Sequence, residues 1–199
     1  MRKLTLLLLF TILSIVLWAQ HLEQQAQQPP LHSSQNPDKQ IITGAERTEI
    51  YLPLLERKRV AIYGNQSSLI GKTHLVDSLI SRKVNVVKIF SPEHGFRGNA
   101  EAGAHISSST DSKTGLPIIS LYGKNKKPTA EQMKGIDLII FDIQDVGCRF
   151  YTYISTLHYV MEAAAENNVD VLILDRPNPN GYFVDGPVLE EKYKSFVGM

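Results

Sequence analysis

The chain has 199 residues, 43 % of them hydrophobic and 21 % charged, with 21 Lys plus Arg against 20 Asp plus Glu and a single cysteine. A net charge of +1 provides no basic or acidic surface for binding nucleic acid or an anionic membrane. One thiol excludes an internal disulfide framework, and a lone thiol at Cys148 is more often packed than reactive.

Arg2-Lys3 and the apolar run over residues 4–18, with small Ala19 ahead of Gln20, read as an export signal over residues 1–19. The expected location is the periplasm or the exterior, with no membrane contact beyond the signal. Leu17 is bulkier than the usual residue two positions before a cut, so an uncleaved amino-terminal anchor is the alternative. Cys148 lies far from this segment, so lipoprotein processing is not expected. Residues 20–42 begin rich in Gln, Pro, Ser and Asn and read as a flexible linker. Residues 43–199 suffice for one core. The carboxyl end stops on the apolar stretch Ser195-Phe196-Val197-Gly198-Met199, as expected of a fragment of a longer protein.

Residues 43–56 read as a helix with Ile50, Leu54 and Leu55 inward, although Pro53 argues for a break. A strand over 59–63, a helix over 73–82 with Leu75, Leu79 and Ile80 at helical spacing, and a strand over 84–90 make a βαβ unit. Residues 99–114 read as a loop, 116–121 as a strand, 129–134 as a short helix and 137–143 as a strand. A long helix over 150–167 carries Ile154, Leu157, Met161 and Ala164 or Ala165 on one side, and a strand follows over 169–174. Nearly continuous Val/Ile/Leu strands alternating with helices predict an α/β fold, a doubly wound, mostly parallel sheet. In such a sheet the ends of these strands open onto one edge, where ligands bind.

Four polar clusters follow these strands: Asn65-Gln66, Ser91-Pro92-Glu93-His94-Gly95-Phe96-Arg97-Gly98, Gln144-Asp145, and Asp175-Arg176-Pro177-Asn178. Glu93 is the candidate general acid, its pKa raised by burial beneath a loop bearing Phe96; its bland alternative is a pair with Arg97 or a helix cap. His94 orients Glu93, binds substrate or is structural. Arg149 near a helix start suits a carboxylate-bearing ligand, and Tyr151 and Tyr153 offer flat faces and hydroxyls suited to a sugar, or pack on the sheet. An ion pair of Asp175 with Arg176 or Arg149 is an alternative to binding. Asp142 and Asp145 raise a metal pair, but residues three apart on a strand face opposite ways. Without CxxC, HExxH, a phosphate loop or GxGxxG, no metal or other cofactor is expected.

SPEHGFRG, TGLPIISLYG over 114–123, FDIQDVGCRFYTY over 141–153, LDRPNPNG over 174–181, and GPVL and SFVG near the end together resemble the exo-β-N-acetylmuramidase (NamZ) family, formerly a domain of unknown function. The resemblance runs from about Gly44 to Gly198. It implies a secreted glycoside hydrolase that removes N-acetylmuramic acid from the non-reducing ends of peptidoglycan fragments. It also implies two domains, of which this chain contains the Rossmann-like amino-terminal one, with the absent carboxyl-terminal domain expected to complete the cleft. Glu93 falls on the family's proposed catalytic glutamate, and His94, Gln144, Asp145, Arg149 and Asp175 on its active-site motifs. Cys148 departs from the small residue usual there.

The catalytic candidates are therefore Glu93, His94 and Asp145. The substrate-binding candidates are Asn65, Arg97, Gln144, Arg149, Tyr151, Asp175, Arg176 and Asn178. The partner is a peptidoglycan-derived muramyl saccharide. Glycosidases pair an acid with a second group; Asp145, Asp175, a group from the absent domain and the substrate's acetamido oxygen all stand open. A non-catalytic periplasmic sugar-binding module is the alternative function, and a metal-dependent hydrolase using Asp142, Asp145 and His94 a third.

Overall fold

The computed structural model describes residues 41–92, 95–98, 109–123, 125–182 and 184–198. The expected signal and most of the linker therefore lie outside the described residues, as do Glu93 and His94.

A six-stranded sheet organises residues 41–199, in the order β5-β6-β4-β1-β7-β8. Its strands are β1 (Val60–Gly64), β4 (Val86–Ser91), β5 (Ser109–Thr110), β6 (Pro117–Ser120), β7 (Leu138–Asp142) and β8 (Asp170–Ile173). Five of them run parallel; β5 pairs antiparallel with β6 at one edge, within the segment expected to be loop. Strands β2 (Leu69–Ile70) and β3 (Thr73–His74) form a small separate hairpin just after β1. The helices are α1 (Thr48–Tyr51), α2 (Leu75–Ser81), α3 (Ala130–Met133) and α4 (Tyr153–Glu166).

Alternate strand residues feed two cores. Val60 and Ile62 of β1, Ile89 of β4 and Ile140 of β7 pack with Leu75, Val76 and Leu79 of α2 and with Tyr51 and Leu55. Ala61 and Tyr63, Phe90, Ile139 and Phe141 face the other way, onto Met133 of α3 and Val160, Ala163 and Ala164 of α4. A sheet covered on both faces requires apolar residues at every strand position, and all five residues of β1 and of β7 are buried. The fold is the expected doubly wound α/β.

Three expectations are corrected. The helix over 43–56 is a series of short turns: a 3-10 turn at Gly44–Glu46, α1, and a second 3-10 turn at Leu52–Leu55 with Pro53 in its first positions. Proline removes an amide donor and crowds the preceding turn, so the helical register is lost. Ile50 and Leu54 are exposed, while Tyr51 takes the core position and donates its hydroxyl to the Ala45 carbonyl at 2.9 Å. Burial pushes the Tyr51 phenol up to about 12. The second helix starts two residues late, because Thr73 and His74 pair with Ile70 and Leu69 across a turn at Gly71; Ile80 is partly exposed. The long helix is rotated part-way from the expected face: Ile154 and Met161 are exposed, while Ala164 is buried and Leu157 packs partly buried as expected, joined by buried Ser155, Thr156, Val160 and Ala163. Tyr63 and Phe141, stacked at 4.9 Å, fill space above the sheet, and the helix settles over them mostly by its small side chains.

β4 and β6 lie on one side of β1, and β7 and β8 on the other. The strand order reverses between the parallel neighbours β1 and β7, so the carboxyl ends of these two strands form the switch point where a crevice opens. At the opposite edge Arg59 pairs with Asp137 and Lys58 with Asp170, fixing where the strands begin.

Candidate active site

The turn after β1 is the floor of the crevice. Asn65 is 2 % exposed, and its Oδ1 accepts hydrogen bonds from the Ser67 amide and hydroxyl at 2.8 and 2.6 Å. Its Nδ2 donates to the Tyr153 hydroxyl at 3.3 Å. His74 Nε2 lies 2.9 Å from the Asn65 carbonyl and Nδ1 accepts from the Val76 amide, so the ring is the Nε2–H tautomer. Burial lowers the His74 pKa and keeps the ring neutral. The Ser68 hydroxyl donates to the Asp142 carbonyl and Ser67 Oγ accepts from the Gln144 amide, joining the ends of β1 and β7.

The loops after β7 and β8 are stitched together. Gln144 Nε2 donates to the carbonyls of Asp145 and Pro177, and Asn180 Nδ2 donates to the Val146 carbonyl at 2.9 Å. Gly147 has φ +67°, and a Cβ there would stand 2.2 Å from Asn178 Nδ2, so glycine is required both by conformation and by the close approach. Arg176 is anchored below: Nε and Nη2 donate to both oxygens of Asp142 at 2.6 and 3.0 Å, and Nη2 also to the Leu69 carbonyl at 2.9 Å. Asp142 is fully buried and the Arg176 side chain 8 % exposed.

The stretch that carries Glu93 is held from its far side. Phe96 is buried against His74, ring edge to face at 4.4 Å. Arg97 donates from Nε and Nη2 to Asp111 at 2.7 and 2.8 Å and from both terminal nitrogens to Asp77 at 3.3 and 3.0 Å. Its bonds to Asp111 raise the guanidinium pKa and, against some burial, hold the Asp111 carboxyl well below the usual range. Burial pushes Asp77 upward, but bonds from Arg97 and Lys113 outweigh it and leave the group lowered. Gly98, at φ +74°, sits where a Cβ would be 2.9 Å from Gln66 Cβ, so this stretch packs directly on the β1 turn.

Between these walls is a cavity of about 460 Å³ lined by Asn65, Gln66, Ser67, Gln144, Phe150, Tyr151, Thr152 and Tyr153. Amides and hydroxyls make its floor. Tyr151 stands edge to face with Tyr153 at 6.0 Å, and Phe150 beside it is 76 % exposed. A flat apolar wall over neutral hydrogen-bonding groups suits a pyranose, whose faces are C–H rich and whose rim is hydroxylated.

Of the residues singled out in the sequence, Asn65, Gln66, Gln144, Tyr151 and Tyr153 meet in this cavity. Arg97 and Arg176 do not reach it; both are taken up by carboxylates of the scaffold, and Arg176 pairs with Asp142 rather than Asp175. Asp145, Asp175 and Asn178 lie on the surrounding loops. Asp145 Oδ2 accepts from the Gly147 amide at 3.3 Å, and its Oδ1 is buried without a partner among the described residues. The Asp175 carbonyl accepts from the Gly44 amide, and Asn178 Oδ1 from the Asn180 amide. Arg149 is exposed and donates to the Pro187 carbonyl at 2.7 Å. Among the described residues no group of three or more His, Cys, Asp or Glu gathers. Sequence reasoning missed Ser67, Thr152, His74, Asp77 and Asp111. The unbroken polar run Asn65-Gln66-Ser67-Ser68 was the signal for Ser67; the carboxylates that hold Arg97 left none, being remote in sequence.

A family model described as "Exo-beta-N-acetylmuramidase NamZ, N-terminal" matches residues 60–199. The peptidoglycan beta-N-acetylmuramidase NamZ of Bacillus subtilis (strain 168) is 49 % identical over 154 residues, covering 75 % of this chain and 37 % of that protein. Two crystal structures of DUF1343 family proteins from Bacteroides fragilis NCTC 9343 share the fold, each with a TM-score of 0.71. They are 52 and 46 % identical and cover 80 and 78 % of this chain but 41 and 40 % of their own. The chain thus spans about two fifths of the length of these relatives.

Proposed function

This chain belongs to the exo-β-N-acetylmuramidase NamZ family, through that family's amino-terminal domain, and from this we propose that it carries the acid-bearing half of an exported glycosidase site. The substrate is a peptidoglycan fragment with N-acetylmuramic acid at its non-reducing end, and the reaction releases that sugar. The observation that carries the reading is the cavity at the β1/β7 switch point, with its neutral hydrogen-bonding floor and aromatic wall, beside the stretch that holds Glu93.

Glu93 follows Ser91 and Pro92 at the end of β4, two residues before Gly95. In this reading Glu93 protonates the glycosidic oxygen as the general acid, and His94 orients it or binds substrate. The second group comes from the Asp145 or Asp175 loop, from the remaining length seen in the relatives, or from the substrate's acetamido oxygen. That remaining length supplies a second domain over the cavity, a reading supported by the exposed Phe150 of the lining and the exposed Ile154 and Met161 of α4. Export through residues 1–19 brings the protein to its substrate, and cell fractionation checks it: a cytoplasmic protein refutes export.

In the full-length protein, Glu93→Gln lowers hydrolysis of a chromogenic N-acetylmuramide by at least about a hundredfold while binding persists, the scale of a lost general acid. A variant that keeps most of its activity refutes the role. If the wild-type protein binds the sugar and never cleaves it, the domain is a binding module. Its uncharged cavity lining is the feature that favours that second reading.

A further inference from the structure

Resting on the muramidase reading, the structure assigns Arg149 as the residue that distinguishes N-acetylmuramic acid from N-acetylglucosamine by taking the lactyl carboxylate. These sugars differ by the acidic ether substituent at O3, so a site that selects between them needs a cation placed beside a neutral sugar pocket. Among the described residues the cavity lining is neutral: it holds amides, hydroxyls and aromatic rings and no charged side chain. The charge must come from the rim.

Two of the arginines around this edge of the sheet are already allocated. Arg97 spends its donors on Asp111 and Asp77. Arg176 is shut beneath the loops with both Asp142 oxygens and the Leu69 carbonyl. A guanidinium with two carboxylate contacts has neither charge nor free geometry to give a third. Arg149 immediately precedes Phe150 and Tyr151 of the lining, is exposed, and has no carboxylate partner among the described residues. Its Nη2 donates to the Pro187 carbonyl at 2.7 Å. That bond takes one of the two Nη2 hydrogens and orients the fork without neutralising it, leaving the other Nη2 hydrogen to pair with Nη1 or with Nε in a bidentate contact to a carboxylate.

The start of α4 adds to the same field. Thr152 and Tyr153 line the cavity where this 14-residue helix begins, Thr152 makes no side-chain cap, and the first turn has no acidic side chain. The positive end of the helix dipole there favours an anion at the rim over one elsewhere on the sugar.

The test is equilibrium binding to the full-length protein of three probes: N-acetylmuramic acid, its lactyl methyl ester, and N-acetylglucosamine. The wild type is expected to favour the free acid by about tenfold or more over both neutral sugars, the scale of one charge-assisted hydrogen-bonded pair. Arg149→Met abolishes that preference while leaving N-acetylglucosamine affinity within about twofold, and Arg149→Lys restores part of it through charge without the fork. Lys134→Met, which removes a cation paired with Glu131 on α3, leaves the preference intact and so separates local recognition from net charge. A preference that survives Arg149→Met overturns the assignment and leaves the muramidase reading standing. A wild type that binds none of the three sugars overturns the muramidase reading itself.

Discussion

Replacing Arg176 by methionine separates a scaffold role from a ligand role at a residue whose motif position suggests the latter. The substitution keeps most of the apolar stem but leaves the Asp142 carboxylate, fully buried at the end of β7, without its two guanidinium bonds. Breaking a buried ion pair by removing one partner costs about 3–5 kcal/mol, since the remaining charge stays desolvated. With a urea slope of about 2 kcal/mol/M, the unfolding midpoint should fall by about 2 M. The Asp142→Leu, Arg176→Met double variant should recover a large part of that loss, because a buried pair is replaceable by apolar groups at little net cost. Urea unfolding followed by circular dichroism reads all of these, with sugar binding measured alongside at a temperature where each variant is folded. If Arg176→Met loses less than about 1 kcal/mol yet abolishes the preference for muramic acid, Arg176 is a ligand residue and the clamp reasoning is wrong.

Arg97→Met should remove the acid sensitivity carried by Asp77 and Asp111. Both carboxyls titrate below their unfolded values, so their contribution is present above about pH 4 and is lost as pH falls through the folded pKa values; a urea midpoint that falls as steeply in the variant as in the wild type between pH 5 and 3 refutes this. Gly147→Ala combines a left-handed backbone with a Cβ 2.2 Å from Asn178 Nδ2, and should cost about 1–3 kcal/mol while weakening sugar binding by parting the two loops; unchanged stability and affinity would show that the loops are not held there. A fragment of residues 20–199 freed of its signal should expose Phe150, Ile154 and Met161, bind hydrophobic dye and self-associate, and cleave no N-acetylmuramide; a monodisperse, active fragment defeats the second-domain proposal.

The sheet was legible because its strands are written as buried apolar runs punctuated by polar turns, and that pattern survives any local rearrangement. What was not legible were choices between near-equivalent faces. On α4, Ile154 and Met161 continue the stripe of Leu157 as convincingly as Thr156, Val160, Ala163 and Ala164 do, and the choice depends on how the helix settles over Tyr63 and Phe141 across the interface. Pro53 signalled a break, yet which residues would then turn inward depended on Tyr51 reaching the Ala45 carbonyl. At the site, Asn65, Gln144 and Tyr151 were recoverable from position after a strand. The fates of Arg97 and Arg176 were not, since their carboxylates sit 14, 20 and 34 residues away in sequence.

That separation bears on how motifs of this kind should be read. SPEHGFRG and LDRPNPNG each place an arginine among turn residues at the active edge, and in both the arginine reaches back to an acidic side chain on or beside a regular element: Asp77 on α2 and Asp111 after β5 for the first, Asp142 on β7 for the second. If the first loop carries the proposed proton donor, it gains more from such a tether than from another ligand contact, because a misplacement of about 1 Å can cost a hundredfold in rate. Charged residues in these motifs therefore divide by whether their charge is already balanced. A balanced arginine makes the loop stiff, and its loss is felt first as stability; an unbalanced one, as at Arg149, leaves a field that a ligand must complete, and its loss is felt first as selectivity.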